Sequence, residues 1–502
     1  VRLPGDPRWW LRAVALTLLA FGLTASEPEP SAVPAPAAAG SDELHSSGGV
    51  LDVTLRAEAG KIHIGDLELD GATYNGRYAG PVLRVRPGDL LRVRLINRLS
   101  QPTNLHFHGI QTSPLGNSDN VHLSVAPGGR FTYEVRIPAT QPPGLYWYHS
   151  HIHGLSEQQV MDGLSGALVV DGPGAAPAGL AERLFVLKDM VFDDDTGNAR
   201  IDGELHGLVQ SINGALDTTH TIRPGETQLW RFSNQSANLP FHIALQGHRF
   251  RIIAEDGGAR VAARSADVLD IMPAARVDAL VEGGAPGSYA LLSKGAMTGT
   301  GDARAPDRVL GHLLVAGEPA ASAEALPTPP PPPDLRSAAI GARRVFVFSQ
   351  STTLKAEKQL FFIDGRTFDL QRVDVRVPLG SVEEWTVRND SDDLHVFHIH
   401  QLGFQVTAIN GAPVAFSGRV DTVRVPERGT VTLRLAFTDP IILGRFVFHC
   451  HVLKHEDKGM MAQIEVFDPR PPRLHDRLRR LYLHLWWWAH GVPWSLCGLG
   501  SA

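Results

Sequence analysis

Short stretches of alternating apolar and polar residues recur along this chain, separated by turns rich in Gly, Pro, Asn and Asp. Side chains on an extended strand point to opposite faces in turn, so this period of two predicts half-buried β-strands. The pattern comes in three copies. Each opens on a turn and an alternating strand: LRVRPGDLLRVRLINRLS at 83–100, HTIRPGETQLWRFSNQS at 220–236 and VRVPLGSVEEWTVRNDS at 375–391. Each continues with a strand of the type NLHFHGI, NLPFHIAL or LHVFHIHQL, and each closes on Gly followed by GLYWYHSH, GSYALLSK or GRFVFHCH. A unit repeated three times, with Gly/Pro turns and almost no helical periodicity, predicts an all-β chain of three consecutive Greek-key β-sandwich domains. The expected boundaries are 48–173, 180–317 and 341–468.

The remaining segments differ in composition. Arg2, Arg8 and Arg12 precede an apolar run from Ala13 to Leu23 and then Thr24-Ala25-Ser26, the form of a secretory signal peptide over residues 1–25. An uncleaved anchor is the alternative, although the run is short for a full span. A Pro/Ala-rich linker follows at 26–47, and a polyproline linker at 318–340 separates the second and third copies. An extracytoplasmic location, periplasmic or secreted, is expected. The formal charge of −6 gives no reason to expect nucleic acid as a partner. With Cys450 and Cys497 as the two cysteines, and Cys450 needed as a ligand below, no disulfide framework remains.

The chemistry is concentrated at 449–461, HCHVLKHEDKGMM. A thiolate, two imidazoles and a weak thioether form the ligand set of a blue-copper electron-transfer site. On a strand, Cys450 faces one side while His449 and His451 face the other, so one tripeptide joins two metal centres. Three further motifs supply imidazoles: His106-Phe107-His108, His149-Ser150-His151 and His395-Val396-Phe397-His398-Ile399-His400. By the same alternation His398 and His400 share a face and His395 lies opposite, where it can join Cys450, His455 and Met460. The eight histidines left over (106, 108, 149, 151, 398, 400, 449 and 451) suit a cluster of three coppers, one with two imidazoles and two with three each. A single His-x-His pair is often structural. Structural zinc, which takes four ligands in a closed tetrahedron, does not account for ten histidines around one cysteine.

These four motifs, in this order, resemble the three-domain multicopper oxidases, the family of laccases, bacterial cuprous oxidases and ferroxidases. The resemblance covers roughly residues 48–468 and implies cupredoxin-like domains. Carried over residue by residue, it makes His395, Cys450, His455 and Met460 the type 1 ligands, and His106 and His398 the type 2 ligands. One type 3 copper takes His108, His149 and His451; the other takes His151, His400 and His449. It implies four copper ions, dioxygen as acceptor and a small-molecule or metal-ion reductant. Some relatives keep the fold but lose the ligands and act as scaffolds, and copper nitrite reductases lack the full type 3 set. Every ligand position is filled here.

Comparison of the copies places the copper. Ser150 stands in the first copy where Cys450 stands in the third. In the second, Ala244 replaces a histidine and Leu291-Leu292-Ser293 replaces the closing pair, so His242 and His248 are expected to be structural. The middle domain then reads as spacer and wall, with the trinuclear site between the first and third domains. By family position, Glu456 and Asp119 are expected to supply protons. The axial Met460 predicts a moderate type 1 potential.

The family's cuprous oxidases carry methionine-rich insertions. The six methionines here form no cluster, which favours phenol or aromatic-amine oxidation over copper detoxification, with metal-ion oxidation (Cu(I), Fe(II) or Mn(II)) as the alternative. Asp392 and Asp393 read as turn residues, or as acids that orient a reductant. The tail at 469–502, RLHDRLRRLYLHLWWWAHG and beyond, has a Leu/Trp stripe at helical spacing with arginines beside it. This suits contact of residues 470–502 with a membrane surface, or packing on the body.

Overall fold

The computed structural model describes residues 43–173, 180–191, 208–295, 307–320, 332–351 and 359–470. The apolar run near the start, residues 321–331 of the second linker and the tail beyond 470 lie outside the described residues. Six β-sheets account for the described fold, two in each of three successive units. The fold is all-β and cupredoxin-like. No helix among the described residues is long and apolar enough to cross a membrane.

Alternation produces this architecture directly. Thr430–Phe437 buries every second residue, Val431, Leu433, Leu435 and Phe437, and leaves the others partly exposed. Each unit closes its two sheets over its own apolar core. Leu55, Val93 and Tyr133 of one sheet meet Leu83, Phe107 and Leu168 of the other in the first unit. Trp230 and Phe232 meet Phe241 and Ile243 in the second, and Trp385 and Leu433 meet Phe397 and Phe448 in the third. Trp385 is fully buried, lies 4.7 Å from Phe346 between ring centres and donates its indole N–H to Glu383 at 2.8 Å. Trp385→Ala is expected to destabilise the third unit by about 3–5 kcal/mol, read as a lower denaturant midpoint of unfolding.

Several strands lose the alternation, and four of them carry the histidines: β1 (His106–His108), β2 (Gly144–His149), β3 (His395–Ile399) and β4 (Gly444–Cys450). Every residue of the first three is buried, as are all but one of β4. One face packs on the unit's own core, and the other is covered by a neighbouring unit. Pairing repeats between the ends of the chain: β1 lies antiparallel to β2 with His106 opposite His149, and β3 antiparallel to β4 with His398 opposite His449.

Two linker expectations meet structure. Glu43–His45, at the end of the expected first linker, forms a parallel strand against Gly80–Val85, and Leu335–Ser337, in the second, forms a single 3₁₀ turn. Two short helices lie beside the histidine strands, α1 (Ser156–Asp162) and α2 (Leu453–Asp457). No side chain of its own segment caps α1. Asp457 of the third unit does so instead, accepting from the backbone N–H groups of Gly154, Ser156 and Glu157 at 2.9, 3.1 and 2.8 Å.

Candidate metal centre

Cys450 ends β4 and projects into the core of the third unit, opposite in direction to its two neighbours. Its Sγ lies 3.6 Å from the Nδ1 atoms of both His395 and His455, and those two nitrogens are 3.0 Å apart. Met460 is fully buried in the same apolar cluster, and its segment is tied down by Cys450 N–H to Met460 O (3.1 Å) and Met460 N–H to His455 O (2.9 Å). Ser391 Oγ lies 2.9 Å from Nε2 of His395, fixing the ring so that Nδ1 faces the sulfur. Phe361 stacks on His455 at 4.0 Å, and His455 is only 1% exposed.

Burial controls the protonation of this group. It pushes the Cys450 thiol up to about 12, with backbone N–H groups of Val396 and Val452 opposing, and lowers His395 to about 3. Neutral imidazoles with free lone pairs can bind a metal. A thiol held this high becomes a thiolate near neutral pH only when a cation replaces its proton.

The eight remaining histidines converge between the first and third units. His106 stacks on His400 at 3.8 Å and His108 on His398 at 3.9 Å, so each stack joins one ring from each end unit. Ligand atoms of His108, His149 and His451 lie within 4.8 Å of one another, as do those of His151, His400 and His449, and those of His106, His108 and His398. The Nε2 atom of His449 is 3.1 Å from that of His400 and 3.3 Å from that of His151. Nitrogens bound about 2.0–2.1 Å from one ion fall roughly 3.3 Å apart at a tetrahedral angle.

Four of these eight rings are anchored by one nitrogen and unpartnered at the other. His106 Nδ1 meets Asp119 Oδ1 at 3.0 Å, His149 Nδ1 meets Ser150 O at 2.8 Å, and His398 Nδ1 meets Asp421 O at 2.7 Å. His108 Nε2 meets Asp421 Oδ1 at 3.0 Å. The opposite nitrogens (Nε2 of His106, His149 and His398, and Nδ1 of His108) are buried without a hydrogen-bond partner. Orphaned buried lone pairs are costly unless something binds them, and an outer hydrogen bond on the far nitrogen is how proteins orient a metal-binding histidine. Burial holds His106, His108, His398, His400 and His451 well below the usual histidine range, as neutral rings. The donor set and its unpartnered atoms fit copper.

The two expected proton-handling acids occupy different environments. Asp119 is buried and saturated: it accepts from Phe107 N–H at 3.0 Å and from Gln401 Nε2 at 2.9 Å while facing His106. Glu456 is fully buried with its oxygens 3.0 Å from His449 Nδ1 and 3.7 Å from His151 Nδ1, neither contact well aligned as a hydrogen bond. Burial pushes this carboxyl up, but His151 and His449 outweigh it and hold it below the usual carboxylate range.

Asp392 and Asp393 do not form a pair at this edge. Asp392 is exposed and held by Arg428 at 2.7 Å, whereas Asp393 is mostly buried. His242, in the middle unit, pairs with Asp270 at 2.6 Å, and His248 packs edge-on against Tyr289.

The middle unit, expected as spacer and wall, also contacts the surroundings of the cluster. Arg276 of that unit reaches Asp421 of the third, which touches His108 of the first. Alternation could not reveal this contact, because its three residues come from three units and share no motif.

Three family models, each described as multicopper oxidase, match residues 58–175, 187–312 and 328–470. The multicopper oxidase mco of Staphylococcus haemolyticus is 25% identical over 440 residues, covering 83% of this chain and 89% of its own. Among solved structures, a bacterial laccase-like multicopper oxidase from Ochrobactrum sp. superposes with a TM-score of 0.71 at 25% identity, over 85% of this chain and 99% of its own. A Campylobacter jejuni multicopper oxidase described as a metallo-oxidase shares the fold with a TM-score of 0.71 at 24% identity, over 84% of this chain and 92% of its own.

Proposed function

Because this chain belongs to the multicopper oxidase family of oxygen-using oxidoreductases, we propose that it is a laccase-like enzyme that oxidises phenols or aromatic amines one electron at a time and reduces dioxygen to water. The observation that carries this is the HCH tripeptide, whose Cys450 lies within 3.6 Å of two imidazoles while His449 and His451 turn into the eight-histidine cluster. His395, Cys450, His455 and Met460 would hold one copper. His106 and His398, His108, His149 and His451, and His151, His400 and His449 would hold three more. Bound copper supplies one-electron acceptance at the first site and four-electron reduction of dioxygen at the second.

The chain's own groups do the rest. The backbone from Cys450 to His449 and His451 is the covalent link between the two sites. The apolar shell of Phe361, Phe348 and Met460 keeps water from the sulfur. Asp119 orients His106, and Glu456 places an ionised carboxylate beside His449 and His151, where it can accept a proton and pass it on. The arginine-led apolar run near the start of the chain supports export from the cytoplasm.

One observation favours metal-ion oxidation as a second reading. His455 lies under Phe361, so a phenol finds little bare imidazole to stack on, whereas a small cation needs none. Oxygen uptake by copper-loaded protein separates the two readings, with phenols, aromatic amines, Cu(I) and Fe(II) supplied in turn and peroxide assayed. Uptake with phenols and without peroxide supports the laccase-like reading; uptake with metal ions alone replaces it. Phe361→Ala is expected to raise kcat/KM for bulky phenols several-fold and to change Fe(II) turnover less, measured on the same electrode.

A further inference from the structure

Arg276 is a fully buried arginine contributed by the one unit that has no histidine in the cluster. Its guanidinium forks onto Asp421, Nη1 to Oδ1 at 2.7 Å and Nη2 to Oδ2 at 2.6 Å, and Nε donates to Leu145 O at 3.3 Å, in the strand that ends at His149. Asp256, also of the middle unit, holds the backbone of the same segment. Its Oδ2 accepts from Asp421 N–H (3.1 Å), Thr422 N–H (3.0 Å) and Thr422 Oγ (2.8 Å), and its Oδ1 from Arg276 N–H (3.0 Å). Asp421 therefore has both its side chain and its backbone gripped by the middle unit.

Asp421 in turn holds two rings of the cluster. Its Oδ1 lies 3.0 Å from His108 Nε2 and its carbonyl 2.7 Å from His398 Nδ1. These rings come from opposite end units and stack on each other at 3.9 Å, with His108 Nδ1 and His398 Nε2 as their unpartnered atoms. Gly109, next to His108, makes the approach feasible. Its φ is +84°, and a Cβ there would lie 2.6 Å from Arg276 Nη2 and 2.7 Å from Asp421 Oδ2.

We infer that Arg276 and Asp421 are positioning residues of the trinuclear site: the middle unit aims His108 and His398 through Asp421, so the site takes its working geometry only when all three units are docked. This rests on the copper reading above. A planar fork fixes a carboxylate in two directions at once, which a lysine's single ammonium cannot do. Outer hydrogen bonds of this kind typically alter metal affinity or activity by about 10–100-fold.

The test uses the full-length, copper-reconstituted protein with Arg276→Lys, and the double variant Arg276→Met/Asp421→Asn, which removes both charges of the fork and leaves Asp256 its backbone and Thr422 donors. Three readouts are followed: the blue thiolate absorption, which reports the Cys450 site; the near-ultraviolet absorption and electron paramagnetic resonance of the histidine cluster; and the rate at which a chelator strips copper. Both variants are expected to keep the blue absorption, to show altered cluster signals and to lose cluster copper at least about tenfold faster. Wild-type cluster signals and wild-type retention in either folded variant would overturn the inference. Wild-type signals restored only in the double variant would do so too, because Arg276 would then merely balance a charge. Failure of the copper reading looks different, since the unaltered protein would itself show neither absorption.

Discussion

Cys450→Ser is expected to abolish the blue absorption and to reduce oxygen uptake to that of the copper-free chain, while leaving three of the four coppers in place. Serine is close in size to cysteine, and Cys450 is fully buried in an apolar cluster. The cost to the fold is therefore that of one buried hydroxyl, about 1–3 kcal/mol, and the chain should still fold. What disappears is the thiol that lies 3.6 Å from both His395 and His455, and the Met460 thioether cannot replace it as a thiolate. His449 and His451 face the other way and belong to different groupings, so their ring positions do not depend on that sulfur. Copper analysis should show one ion per chain fewer. Cluster absorption should persist, and the separation of the two signals is the diagnostic part. Blue absorption surviving in the serine variant would mean that another sulfur supplies the thiolate, and the assignment of this site would fall. Simultaneous loss of both signals would show that the two sites do not bind copper independently.

The parts of this site that sequence alone reveals are those that depend on local alternation. Cys450 sits between two histidines, and a strand must then send it to the opposite face. His395 stands an odd number of residues from both His398 and His400, which separates it from them in the same way. The contacts that orient the rings are of another kind. Asp421 and His108 are 313 residues apart, and Arg276 and Asp421 are 145 apart. No spacing rule connects them, and the segment GRVDTVRV around Asp421 reads as an ordinary exposed strand. Asp119 was legible by family position, but its surroundings were not. Its donors come from Phe107 and from Gln401, 282 residues away, and they leave it a fixed acceptor beside His106. Elements too short for any period were also hidden. The strand at Glu43–His45 and the helix at Leu453–Asp457 span three and five residues, less than two turns of the chain in either conformation.

Glu456→Gln is expected to lower kcat by about a hundredfold while leaving KM for the reductant and the rate of bleaching of the blue absorption nearly unchanged. The argument starts from what surrounds the carboxyl. It is fully buried, 3.0 Å from His449 and 3.7 Å from His151, and it lacks the well-aligned donors that saturate Asp119. Its two imidazole neighbours keep this carboxyl ionised, ready to accept a proton that arrives at the cluster and pass it on. Burial instead pushes Asp119 well above the usual carboxylate range, and its hydrogen bonds tie it to His106 and Gln401. Glutamine keeps the size and one acceptor oxygen but cannot cycle a proton. Electron entry lies beyond the reach of this change, since His455 and Phe361 stand on the other side of Cys450. The defect should therefore appear only when the reduced protein meets dioxygen, as slow return of the blue absorption in a stopped-flow experiment, with a solvent deuterium effect differing from the wild type. An equal slowing of bleaching and return would instead make Glu456 a structural neighbour of His449. The same measurement on Asp119→Asn provides the contrast: its expected signature is altered cluster absorption from a displaced His106, because its role is to hold a ring.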